Sequence, residues 1–203
     1  MRPLAARSAL IVVALSIACS NKPPDDQDYV AKLAAERAAK DAAFQKDDDP
    51  VPDNRKAEFL PLAYFPIDPG YKVGAALKLT EGDIVISMST STGTQRQMRK
   101  VGTLEFSLRG QLYTLTAFVE VGAPNLNRLF VPFGDLTSGT ETYPAGRYID
   151  LDRTATGIYE LDFNRAYNPY CYYNASYECP FPPAENRLKT PIRSGERLKP
   201  PST

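Results

Sequence analysis

The sequence predicts an all-β domain: an antiparallel barrel or sandwich of about seven to eight strands, preceded by one N-terminal helix and followed by a Pro/Tyr-rich irregular flap. Three observations carry this expectation. Beyond Pro50 the apolar residues recur with period two, in short runs separated by turn residues. No convincing helical pattern lies between those runs, which argues for hairpins rather than parallel units with crossover helices. From Asn164 onward the periodicity fails, and seven of the 18 prolines fall between Pro169 and Pro201, which imposes irregular or polyproline II backbone. The expected organisation is a signal peptide at 1–18, a tether at 19–27, a helix and linker at 28–49, a single β domain with its flap at 50–197, and a tail at 198–203.

Residues 1–18 carry the marks of an export signal. Arg2 and Arg7 form a basic start, and Ser8 to Ile17 form an apolar run too short for the roughly 20 residues a spanning helix needs. The run ends at Ser16-Ile17-Ala18-Cys19, small residues before a cysteine, as in a bacterial lipoprotein signal whose Cys19 is lipidated and becomes the mature N-terminus. An ordinary signal peptide cut nearby is the other reading. Ser20 follows the cysteine where Asp would retain a lipoprotein at the inner membrane, so the expected location is the cell envelope, on the periplasmic face of an outer membrane where the organism has one. Removal of 1–18 leaves 22 basic and 24 acidic side chains, a net charge of −2. The expected membrane partner is therefore reached through lipid rather than by charge.

Asp28 to Lys46 is rich in Ala, Lys, Arg and Glu, with acids leading and Lys40 and Lys46 trailing, which suits the helix dipole. Its apolar stripe is mostly Ala, so the helix reads as a spacer leaning on the domain, with partner docking as the sharper alternative. Asp47-Asp48-Asp49-Pro50 ends it without the ligand spacing of a calcium loop. Strands are expected at Tyr71–Leu79, Ile84–Ile86, Leu104–Leu108, Tyr113–Val121, Leu129–Phe133, Arg147–Leu151 and Ile158–Phe163. A Ser/Thr turn spans 89–94 and a tight turn falls at Arg109-Gly110. In the last strand Tyr159, Leu161 and Phe163 face the core, which puts Asp162 on the other side. Past Ser194 the tail is expected to fray.

Composition narrows the chemistry. The whole chain has 24 basic and 24 acidic residues and no His. A zero balance offers no electrostatic reason for nucleic acid as a partner. Without imidazole there is no Ser-His-Asp or Cys-His relay and no His-ligated zinc. No cofactor and no metal site is implied. With Cys19 lipidated, Cys171 and Cys179 remain, and in an exported chain they read as a disulfide worth about 2–3 kcal/mol on the loop-entropy account.

Phe130 to Leu151 reads FVPFGDLTSGTETYPAGRYIDL, and Leu161 to Arg197 reads LDFNRAYNPYCYYNASYECPFPPAENRLKTPIRSGER. With the upstream Tyr64-Phe65-Pro66-Ile67-Asp68 and the Ser91-Thr92-Gly93 turn, these words resemble the bacterial family called domain of unknown function 1684, over roughly residues 30–197. Tyr170 and Gly134 depart from its usual Pro and Arg. The resemblance implies a domain extent and no activity.

The same segment concentrates chemistry-bearing side chains, and eight of the twelve Tyr fall between Tyr143 and Tyr177. Arg147, Arg165 and Arg187 could hold an anionic group. Asn164, Asn168 and Asn186 could add hydrogen bonds, with Tyr167 or Tyr143 stacking on the remainder of a small anionic or sugar-like ligand. The expectation is a non-catalytic binding domain with a polar cleft. A hydrolase without His would use carboxylates, with Asp162, Glu185 and Glu141 as the candidates, although nearby Arg would depress their pKa values. A structural or partner-docking lipoprotein is the third reading. Against all three stands the plain one, in which the same groups satisfy the backbone of an unladdered coil.

Overall fold

The computed structural model describes residues 26–47 and 49–199. The expected signal peptide, the lipidation candidate Cys19 and Asp48 lie outside the described residues. The helix α1 spans Asp26–Lys46, and a single turn α2 spans Lys56–Phe59. Seven strands follow: β1 Lys72–Leu79, β2 Val85–Ser89, β3 Gln95–Leu108, β4 Gln111–Glu120, β5 Arg128–Phe133, β6 Arg147–Asp152 and β7 Ile158–Asp162. They form one antiparallel sheet in the order β6-β5-β4-β3-β1-β7, with β2 on β3 beyond the end of β1. The sheet curls so that β6 approaches β7, giving a nearly closed barrel. No described helix is long and apolar enough to cross a membrane.

Local sequence explains most of the ladder. Arg109 and Gly110 both take positive φ, 52° and 80°, so β3 and β4 join through the two-residue turn that matches strand twist. The Ser/Thr segment is the β2–β3 tip, with Thr90 N–H closing on the Thr94 carbonyl at 3.1 Å. Leu115, Ala117, Leu129, Val131, Ile149 and Leu161 are buried inside the barrel, and Tyr159 and Phe163 join them as their phase predicts. Val121, expected in the same line, falls past the end of β4 and is exposed. The polar-looking first half of β3 is strand as well. Its register shifts between Lys100 and Gly102, where a Cβ would stand 2.4 Å from the Lys78 carbonyl, so only glycine admits β1 at that distance.

The β4–β5 seam is the weak line of the barrel. Only Phe118 and Phe130 pair there, and Pro132 of β5 has no N–H to donate. Asn186 from the flap fills the gap. Its Oδ1 accepts from Thr116 N–H at 2.7 Å, and its amide nitrogen donates to the Thr116 and Pro132 carbonyls at 2.8 and 2.7 Å.

One expectation about the ends needs correction. The chain past Ser194 does not fray. Glu196, Arg197 and Leu198 donate their N–H groups to the carbonyls of Ala166, Ala63 and Glu141, and Glu196 is buried. The cause is a set of partners far away in sequence, chiefly Arg147. The helix α1 does lean on the domain, but by polar bonds more than by its apolar stripe, of which only Leu33 and Phe44 are buried. Tyr29 donates to Asp162 at 2.9 Å, Glu36 pairs with Arg165, and Arg37 reaches the Phe65 and Asn164 carbonyls at 3.0 and 3.1 Å. Lys40 meets Glu196 at 2.5 Å, and Asp41 accepts from Leu62 N–H at 2.9 Å.

Candidate ligand-binding cleft

Side chains alternate across a strand, so each strand of the barrel also has an outer face. On β5 and β6 that face carries Phe130, Tyr148 and Asp150, and the C-terminal flap lies over it. Tyr148 donates its hydroxyl to the Pro180 carbonyl at 2.6 Å, and backbone bonds join Tyr148 and Tyr167 in both directions. The flap does not cover the face completely. Between it and the outer ends of β3 and β4 a cleft of about 610 Å³ remains, within the roughly 300–1,000 Å³ of small-molecule sites.

Rings make the body of this cleft. Phe130 and Tyr148 meet edge to face at 4.7 Å, Tyr148 and Tyr167 at 5.7 Å, and Tyr170 and Tyr177 at 5.2 Å. Met98 and Pro180 add apolar surface. Charged groups make the rim, and each is neutralised locally. Arg96 pairs with Glu120 and Glu178, each at 3.1 Å; Arg128 pairs with Asp150 at 3.0 Å; Lys40 enters from α1 already bound to Glu196. The Tyr167 hydroxyl donates to Asp150 at 2.7 Å. Burial first, and the neighbouring Asp150 second, push the Tyr167 hydroxyl far above the ordinary phenol range, and burial does the same for Tyr148. Both stay neutral hydroxyls, able to donate at any physiological pH.

Of the side chains singled out in the sequence, Tyr167 lines this cleft; Arg147, Asn164, Arg165, Asn168, Asn186 and Arg187 do not. Arg147 is fully buried and is spent on Asp135 and on the carbonyls of Ile192, Ser194 and Glu196. Asn164 is buried between Asp68, Asp162 and Ser194. Arg165 sits at the α1 contact with Glu36 and Asp162. Asn168 is buried with its N–H on Glu196, and Arg187 is exposed beside Gly134. Tyr143, the other stacking candidate, packs on Tyr172 behind the flap.

The three carboxylate candidates are not brought together either. Asp162 is buried and accepts from Tyr29, Asn164 and Arg165. Burial acts to raise the Glu185 carboxyl, but the hydrogen bond from Lys100 leaves it below its usual range. The Arg193 hydrogen bond does the same for Glu141. Neither is placed or poised to give up a proton as a catalytic acid. Among the described residues no group of three or more His, Cys, Asp or Glu could hold a metal ion. Cys171 and Cys179 are both buried free thiols in this structure, in one cluster within the flap, rather than the expected disulfide.

Among the residues missed in the sequence are Arg96, Arg128, Phe130, Tyr170 and Tyr177. Arg96 and Arg128 lie on strands outside the suspicious segment, whereas Phe130, Tyr170 and Tyr177 lie inside it, and the outward phase of Phe130 on β5 is a signal that could have found it.

A curled antiparallel sheet with an aromatic cleft between its outer wall and a flap defines a small mostly-β domain with a hollow on its outer face. The sequence profile of the family described as protein of unknown function (DUF1684) matches residues 57–197, and the chain belongs to that family. Its fold is similar to the solution structure of an uncharacterised protein of Haloarcula marismortui. The two share 36% identity over 85% of this chain and 96% of that one, with a TM-score of 0.66. No curated protein matches the chain.

Proposed function

We infer that this domain is a non-catalytic binding module that takes a neutral, sugar-like ligand in the cleft between flap and barrel wall. The supporting observation is the lining itself: ring faces in the body and a rim of hydrogen-bonding groups whose charges cancel. Pyranose C–H faces stack on rings such as Tyr170 and Tyr177, while sugar hydroxyls exchange bonds with carboxylates, guanidinium groups and phenols. An anionic ligand fits less well, because Arg96 and Arg128 already serve carboxylates. Titration calorimetry with maltose, cellobiose and chitobiose tests the reading. Binding of at least one is expected, weakened at least tenfold by Tyr170→Ala, whose half-exposed ring tolerates truncation. Silence from all three, or preference for a phosphorylated sugar over its neutral parent, would overturn it.

In the same reading the chain is an envelope lipoprotein held by lipid on Cys19, and in that oxidising compartment Cys171 and Cys179 join as a disulfide. Metabolic labelling with a palmitate analogue should mark the wild type and not Cys19→Ser. An unlabelled wild type rules the anchor out.

A further inference from the structure

The two cysteines occupy a particular place. Tyr170 and Tyr177, which face each other across one wall of the cleft, lie one residue before Cys171 and two before Cys179, and Glu178 of the rim is next to Cys179. The cysteines therefore stand at the two feet of the loop that carries this wall. One foot is fixed to the barrel: the Cys179 carbonyl accepts from Ser91 N–H, and Cys179 N–H donates to Ser91 Oγ, both at 3.0 Å. The other foot is the 3-10 turn Tyr170–Tyr172. Between them, Asn174 to Ser176 is held by local bonds, from Ser176 N–H to Asn174 Oδ1 and from Tyr177 N–H to the Asn174 carbonyl. Cross-linking the feet would remove freedom from this segment alone.

We propose that Cys171 and Cys179 are a reversible dithiol–disulfide couple that stiffens the flap wall of the cleft when oxidised, closed by exchange with a small disulfide such as oxidised glutathione. The geometry is already that of partners. Cys171 N–H donates to Cys179 Sγ at 3.1 Å, the two side chains share one buried cluster, and the Tyr143 hydroxyl lies 3.8 Å from Cys171 Sγ. Both residues are less than a tenth exposed, but Cys179 lines the cleft, so a small reagent has a way in. The hydrogen bond from Cys179 lowers Cys171 to about 6, against its burial, and donating that bond pushes Cys179 up. The deprotonated sulfur of the pair is the nucleophile.

The exchange balances in two steps. The thiolate of the pair attacks one sulfur of the reagent, whose S–S bond breaks and releases a thiolate that takes the proton of the other cysteine. That second sulfur then attacks the protein sulfur of the mixed disulfide, forming the intramolecular bond and expelling the second half of the reagent, which takes a proton from water. Two protein thiols lose two electrons and one reagent disulfide becomes two thiols.

The effect on ligand rests on the binding reading above; the couple itself does not. The test equilibrates the intact protein in glutathione buffers of graded ratio and maps the disulfide by peptide mass. The expected result is one two-electron transition, a Cys171–Cys179 cross-linked peptide without lasting glutathione adduct, and at least tenfold slower amide exchange over 174–178 in the oxidised form. Thiols still alkylated in excess oxidised glutathione, a bond that excess reduced glutathione cannot open, or equal exchange in both forms would each refute it. Cellobiose titrated into the two forms separates the claims. A changed affinity supports both, an equal affinity in both forms refutes the stiffening role, and a normal redox transition without binding in either form leaves the couple standing while the sugar reading falls.

Discussion

Arg147→Ala is expected to remove about 3–5 kcal/mol of folding stability, the usual cost of deleting one partner of a buried ion pair. Arg147 and Asp135 are 0% and 1% exposed, so their 2.9 Å contact is shut off from bulk solvent. The loss does not stop at the pair. The guanidinium stacks over the Phe133 ring at 5.2 Å and gathers the carbonyls of Ile192, Ser194 and Glu196, so it binds the last segment of the chain to β6. Urea unfolding should show the midpoint falling sharply. Proteolysis of the variant under native conditions should begin C-terminal to Leu188. Arg147→Lys should rescue only part of the loss, because an ammonium cannot span that fan of acceptors. A midpoint shifted by less than about 1 kcal/mol would show that the segment holds by its other contacts.

Asn186→Leu should be nearly as damaging, although it is close to isosteric and more apolar. It leaves Thr116 N–H and the Thr116 and Pro132 carbonyls buried without their partner, at roughly 1–3 kcal/mol for each group left unpaired. A total of about 3 kcal/mol or more is expected from the same unfolding measurement. Amide exchange would accelerate along the β4–β5 seam, where the backbone ladder has only the Phe118–Phe130 pair. Asn186→Asp should be damaging too, since a carboxylate offers no N–H to either carbonyl. If either variant melts with the wild type, water is able to enter the seam and the amide is not its bridge.

Both residues were singled out in the sequence as ligand-binding candidates, and what became of them shows the reach of that reading. A clustering of Arg, Asn and Asp in an irregular segment has two physical causes, a ligand to be held or a backbone to be satisfied. The flap runs without a ladder, so its carbonyl and amide groups need side chains. Arg147 meets that need for the flap carbonyls of Ile192, Ser194 and Glu196, while Asn164 serves the Asp68 backbone and Asn186 the β4–β5 seam, and all three are buried because the need is internal. Tyr167 does line the cleft, as a phenol that combines a packed ring with a hydroxyl reaching Asp150. Arg96 and Arg128 were not found, because an exposed Arg on a strand looks the same in sequence whether it borders a hollow or bulk water.

Patterns that repeat every second residue, together with turn chemistry, are enforced by neighbours within a few positions, so the chain itself determined that β1 to β7 form, where most of them begin and end, and which faces Leu115, Ala117, Leu161 and Phe163 take. The tertiary structure decided whether sheet edges meet in a barrel, that α1 is held by Tyr29, Arg37 and Lys40 instead of by its alanines, and that a cleft opens on the outer wall between segments far apart in the chain. Those outcomes depend on pairings such as Tyr29 with Asp162, 133 positions away. Folding selects such pairs by shape and desolvation, and no local periodicity records them.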